Sequence, residues 1–161
     1  MSAAPASHVW KPSSARRVVL DAFVPVPRGS APAAPPPLNW PTKDPADVLD
    51  YEFDISPALT GNRGDTIATM GVSISPANPG DLTLQGSAVD GAVAVLWLSG
   101  GQAGTVYTVT VVLGTTTGRT VQRSILLPVL MLSQPPAPPT AIQTNAGLVI
   151  TDQNGNPVVT A

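Results

Sequence analysis

Three carboxylates occupy alternate positions in the stretch "VLDYEFDI": Asp50, Glu52 and Asp54. In a strand they share one face, with neighbours about 7 Å apart from a rise of roughly 3.3 Å per residue. That spacing is too wide for all three to hold one calcium ion at about 2.3–2.6 Å without further ligands. The reading is a solvated acidic face, which also discourages a strand edge from pairing with strangers. Asp65, Asp81 and Asp90 fall in turn-like sequence, where aspartate bonds to nearby backbone. The single histidine, His8, has no held partner of the kind a catalytic imidazole needs. No serine sits in a G-x-S-x-G elbow. "GGQAG" lacks the lysine and the following helix of a phosphate cradle. With no cysteine, thiolate ligands and disulfides are excluded. The expectation is a non-enzyme with no catalytic residue, no cofactor and no metal site.

The elements that would position these residues are β-strands. Leu49, Tyr51, Phe53 and Ile55 alternate with the carboxylates, which is the period of a half-buried strand. "TIATMGVSI" repeats the pattern with Ala68, Met70, Val72 and Ile74. "LTLQGSAV" is weaker, and Gly86 marks a bulge or bend. "AVAVLWLS" is apolar on both faces and reads as central, with Trp97 in the core. "TVYTVTVVLG" aligns Tyr107, Val109, Val111 and Leu113, and "RTVQRSILLPVL" follows after a turn. Six strands, or seven, separated by turns and with no helical pattern, predict an all-β, immunoglobulin-like antiparallel β-sandwich over residues 44–133. Tyr107, opening a late strand after a small-residue loop, fits a tyrosine corner whose hydroxyl bonds back to local backbone.

Both flanks differ from this body. The chain has 161 residues and 19 prolines, most of them near the start and after Gln134. Residues 1–43 read as an extended Pro-rich arm, and 134–161 as a stiff Pro-rich linker ending in a hairpin turned at Asn154-Gly155. The arm carries five basic residues, Lys11, Arg16, Arg17, Arg28 and Lys43, against Asp21 alone; the remainder has three against nine. A basic arm on an acidic body steers toward an acidic partner or simply aids solubility. Charged residues make up only 11% of the chain, well below the roughly 25% of ordinary domains, which suggests a protein packed into something larger. No targeting segment and no membrane span are evident.

Several motifs together resemble the phage fiber-tail adaptor family. They are Asp44-Pro45, the strand from Asp50 to Asp54, Gly64-Asp65-Thr66-Ile67, Trp97-Leu98-Ser99-Gly100-Gly101 with Ala103-Gly104-Thr105 and Tyr107, and Gly118-Arg119-Thr120 with Arg123-Ser124. The likeness runs from Lys43 to about Val129. It implies a structural virion protein of a tailed phage, without enzymatic activity, that connects the tail, or a head-to-tail adaptor ring, to tail fibers. It also implies several copies in a ring, partners among tail, adaptor-ring or portal and fiber proteins, and a place in the virion tail after assembly in the host cytoplasm. No contact with nucleic acid or membrane is expected. The alternative is a carbohydrate- or surface-binding immunoglobulin-like module. The arm and the C-terminal segment lie outside the likeness. Trp10, Leu20, Phe23 and Trp40 in the arm, with Val149 and Ile150 near the end, are the expected partner-binding anchors, because large apolar side chains without a core of their own make good interface residues.

Overall fold

Alternation of apolar and polar residues becomes two four-stranded sheets, seen in a computed structural model that describes residues 12–20, 29, 36–61, 63–133 and 141–160. The strands are β1 (Arg17–Val19), β2 (Leu38–Asn39), β3 (Val48–Asp54), β4 (Ile67–Ser75), β5 (Leu82–Asp90), β6 (Val93–Gly100), β7 (Thr105–Thr115) and β8 (Thr120–Val129). A 3-10 turn, Ser14–Arg16, precedes β1, and one helical turn, α1 (Ser56–Leu59), follows β3. One sheet has the order β1-β3-β6-β5 and the other β2-β8-β7-β4. Pairing among β3 to β8 is antiparallel, while β1 runs parallel to β3 and β2 parallel to β8. Both sheets are therefore mixed, where the sequence suggested antiparallel pairing throughout. A β-bulge between Leu84 and Gly86 stands where the glycine predicted one.

The core lies between the sheets. Tyr51, Phe53 and Ile55, Ala94, Leu96 and Leu98, Tyr107 to Leu113 in alternate positions, and Ile125, Leu127 and Val129 are all fully buried. Met70, Val72 and Ile74 of β4 pack against them, half-buried, as expected for a strand at the sheet margin. β6 is central, between β3 and β5.

Three expectations need correction. The segment expected as an extended arm supplies β1 and β2, and it puts Leu20 and Trp40 into the body's own core. Trp97 points outward from β6. In the register it lies opposite Asp50 and Gly86, and the indole is half-buried there, with room left by the missing side chain of Gly86. A strand that is apolar on both faces gives no periodic cue to which face is inward, and the core position expected for Trp97 is corrected to the outer face. Finally, Asp50 and Glu52 are buried although they point away from the core.

The chain divides into two compact units at Met131 and Leu132. In the second, described over 141–160, isolated bridges join Ala141 to Val159, Gln143 to Val149 and Thr151 to Pro157. Three short segments pair with one another, so the predicted two-stranded hairpin is one side of a larger arrangement. The turn around Asn154-Gly155 is present, with Gly155 at φ +83°.

These placements have measurable consequences. Trp40→Ala should lower the unfolding free energy by about 3–5 kcal/mol, as removal of a core aromatic does. Trp97→Ala should cost less than half as much. Urea melts of the two variants check this; equal losses would contradict the assignment of faces.

Candidate partner interface

Residues that could have done chemistry sit at joints of the fold. Arg16 donates through Nε to the Asp50 carbonyl (2.6 Å) and through Nη2 to Asp50 Oδ1 (2.5 Å), and the Ser13 amide donates to Asp50 Oδ2 (2.7 Å). Arg17 pairs with Glu52 Oε2 and lies 3.9 Å from Asp54 Oδ2. The acidic row is therefore covered by the basic segment, and the acidic partner of Arg16 and Arg17 is their own β3. Burial pushes the Asp50 carboxyl up, but the Ser13 and Arg16 bonds outweigh it and hold the group below the usual carboxylate range.

Trp40 and Lys43 tie one sheet to the other. The Trp40 amide donates to Leu126 of β8, and its indole N–H donates to the Glu52 carbonyl of β3, each at 2.9 Å. Lys43 pairs by backbone with Pro128 and Leu130, while its fully buried ammonium donates to the carbonyls of Asp44 (2.7 Å) and Gly100 (2.8 Å). Desolvation lowers the Lys43 pKa, opposed by the nearby charges of Asp47 and Asp44.

Asp65 and Asp81 clamp loops. Asp65 accepts from the hydroxyls of Thr116 (2.9 Å) and Thr117 (2.7 Å), the Thr117 amide (3.1 Å) and Arg119 Nη1 (3.0 Å). The two motifs "GDTI" and "TTTGRT" thus meet as one cluster. Burial raises the Asp65 pKa, but the threonine bonds prevail and depress it strongly. Asp81 accepts from the Tyr107 hydroxyl (2.7 Å) and the Asn78 amide (2.6 Å); the Tyr107 bond is the main reason its pKa is lowered. The same hydroxyl accepts from the Gln102 amide at 2.8 Å, the local backbone bond expected of Tyr107. Gly101 beside it has φ +100°, and a Cβ there would meet Val129 and Tyr107 at 3.0–3.2 Å, so only glycine fits.

What remains for a partner is surface. The residues of β4, β7 and β8 that alternate with the inward set carry no charge, with Arg123 of β8 exposed beside them; hydroxyls such as Thr110 and Ser124 bond each other at 2.8 Å, and Val106 and Val112 stand exposed among them. Depletion of charge is the compositional mark of an interface centre. Exposed Leu130 and Met131 follow where the chain leaves β8. β4 and β5 are nine-residue strands that form the sheet margins away from β1 and β2, and β4 is uncharged along its whole length. Among the expected anchors, Leu20 and Trp40 face their own core, which removes them from any external surface. Trp10 and Phe23 lie outside the described residues. Val149 is half-buried and Ile150 exposed in the second unit. The inward alternation of β7 does not reveal Val106 and Val112, which belong to an outward set that is also free of charge.

The family model described as podophage GP4 fiber-tail adaptor protein gp77 matches residues 43–128, just over half of the chain. The chain belongs to that family. No curated protein matches it at a significant level.

The clamps make two predictions. Charged hydrogen bonds of this kind contribute about 1.5–3 kcal/mol each. Asp50→Ala should therefore speed tryptic cleavage after Arg16 and Arg17 by at least about tenfold through local opening; equal cutting rates would show that the segment is not held by this contact. The second concerns acid. Asp50, Asp65 and Asp81 have folded pKa values below their ordinary 3.8. Such groups contribute stability that is complete above the unfolded value and is lost as pH falls through the folded one. Thermal stability should be level above about pH 5 and drop below about pH 4. Asp65→Asn should lower the melting temperature at pH 7 and converge with wild type toward pH 2.

Proposed function

We propose that this protein is a structural joint of a tailed-phage virion, fixing tail fibers to the tail or to an adaptor ring at the head-to-tail junction. One observation carries the reading. The family span begins at Lys43, the residue whose ammonium and backbone tie the two sheets, and ends at Pro128 near the close of β8. The family likeness is thus to the clamped body itself, including all its motif residues. Their side chains hold loops and strands in place, which is what a load-carrying connector requires.

The order of β3-β6-β5 and β8-β7-β4, with Tyr107 bonded to backbone five residues upstream, supports an immunoglobulin-like assignment of the body. In this reading several copies surround the tail, the uncharged face of β4, β7 and β8 packs against neighbouring virion proteins, and the virion tail is the protein's final location. A carbohydrate-binding module would need aromatic side chains on an accessible face. Tyr51, Phe53, Tyr107 and Trp40 are buried, and of the described aromatics Trp97 alone is partly accessible. No specific observation favours that alternative.

Phage carrying a disrupted copy of this gene, grown with and without complementation, test the proposal. Particles made without the protein should keep heads and tails yet lack fibers by electron microscopy, and mass spectrometry should find the protein in complemented particles. Fully fibered particles lacking the protein would overturn it.

A further inference from the structure

The second unit repeats every eight residues. Ile142, Ile150 and Val158 are equivalent positions, as are Thr144 and Asp152, and Gly147 and Gly155. The hydrogen bonds follow this repeat. The amide of Thr144 donates to the Leu148 carbonyl and that of Asp152 to the Asn156 carbonyl, each at 2.8 Å. Thr144 Oγ1 accepts from the Leu148 amide at 3.2 Å, and Asp152 Oδ1 from the Asn156 amide at 2.9 Å. Gly147 and Gly155 take the left-handed conformation at φ +77° and +83°. The three equivalent positions then close on one another. The Ile142 amide donates to Val158 (2.8 Å), Val158 to Ile150 (2.8 Å), and Ile150 to Ile142 (2.9 Å). A stack of successive coils would leave its first and last members unjoined. This cycle instead has approximate three-fold symmetry within a single chain.

A unit this small cannot bury its apolar side chains in itself. Ile142, Leu148, Ile150 and Val159 are exposed, and Val158 is half-buried. Asp152 is the one charged residue in 141–160, so the surface offers apolar contact.

We propose that this ring docks end-on onto a homotrimer, on the trimer's three-fold axis. Each of Ile142, Ile150 and Val158 then meets the same apolar patch on a different protomer, and one chain satisfies three identical subunits. A partner without that symmetry would use one repeat and leave the other two uncovered. The proposal rests on the adaptor reading in one respect: the homotrimer is the fiber at its point of attachment.

Ile142→Ser, Ile150→Ser and Val158→Ser, introduced singly in the phage, test it through fiber occupancy and the copy number of this protein in purified particles. Each should reduce occupancy by about fivefold, the effect of truncating an interface anchor, and the three losses should agree within about twofold, with copy number unchanged. Ile142→Val and Ile150→Val should restore occupancy. Slow amide exchange at 142, 150 and 158 in the purified full chain shows whether each variant keeps the ring. Particle density should place 141–160 on the fiber axis. A ring seated against one protomer or off the axis, or a loss confined to one of the three folded variants, overturns the proposal and leaves the adaptor reading intact. Fully fibered particles that lack this protein remove both.

Discussion

Trp40 and Lys43 carry the constraint on which the sandwich depends. Each bonds by backbone to β8, or to the residue following it, and by side chain to the opposite sheet, at Glu52 and Gly100. An ammonium taken fully out of water is costly unless its donors are met. Here two close carbonyls meet them, one belonging to the end of β6. Moving either sheet relative to the other would strand that charge. The contact therefore fixes the spacing of the sheets along one side, and the loops beyond it are held by separate clamps at Asp65 and Asp81.

The same side of the fold is where strand edges are closed. An open edge presents unpaired backbone groups to any passing strand. β1 covers part of β3, and β2 covers part of β8, both by parallel pairing. Parallel pairing needs a long connection; β1 and β3 are separated in sequence by the segment that includes β2, and β2 and β8 by the strands β3 to β7. Arg16 and Arg17 add direction, because their carboxylate partners lie on β3 alone. Glu52 shows the cost of this arrangement: its Oε2 is paired, whereas Oε1 is buried with no partner among the described residues.

Among the described residues, most of the few charges lie inside the protein's own joints. What it leaves outward on β4, β7 and β8 is hydroxyl-rich and carries a single exposed charge, Arg123, with Val106 and Val112 set into it. This suits lasting contact with neighbouring subunits better than recognition of a charged ligand. The second unit offers a different kind of surface, small and apolar, with a symmetry that its sequence encodes in eight-residue steps.

The strands of the body were legible because each has one dry face. Alternation in β3 and β7 identified Tyr51, Phe53, Tyr107 and Val109 as inward, and Gly86 announced its bulge. The motifs of the family were legible too, as a pattern, though not the reason for them. That reason is tertiary: Asp65 and Arg119 are far apart in sequence and meet only when β4 lies beside β7. Alternation does not assign β6, which is apolar on both faces, and the outward position of Trp97 is decided by tertiary structure. The acidic row looked solvated because a single strand cannot reveal what will lie on top of it. Trp40 looked like an external anchor for the same reason, since its core belongs to strands that come later in the chain. The eight-residue repeat was present in Ile142, Ile150 and Val158, but its closure into a ring was not. Local sequence determines which residues avoid water and where the chain turns; pairing between distant segments decides which charges are neutralised and which edges are closed, because those energies exist only once the partners have met.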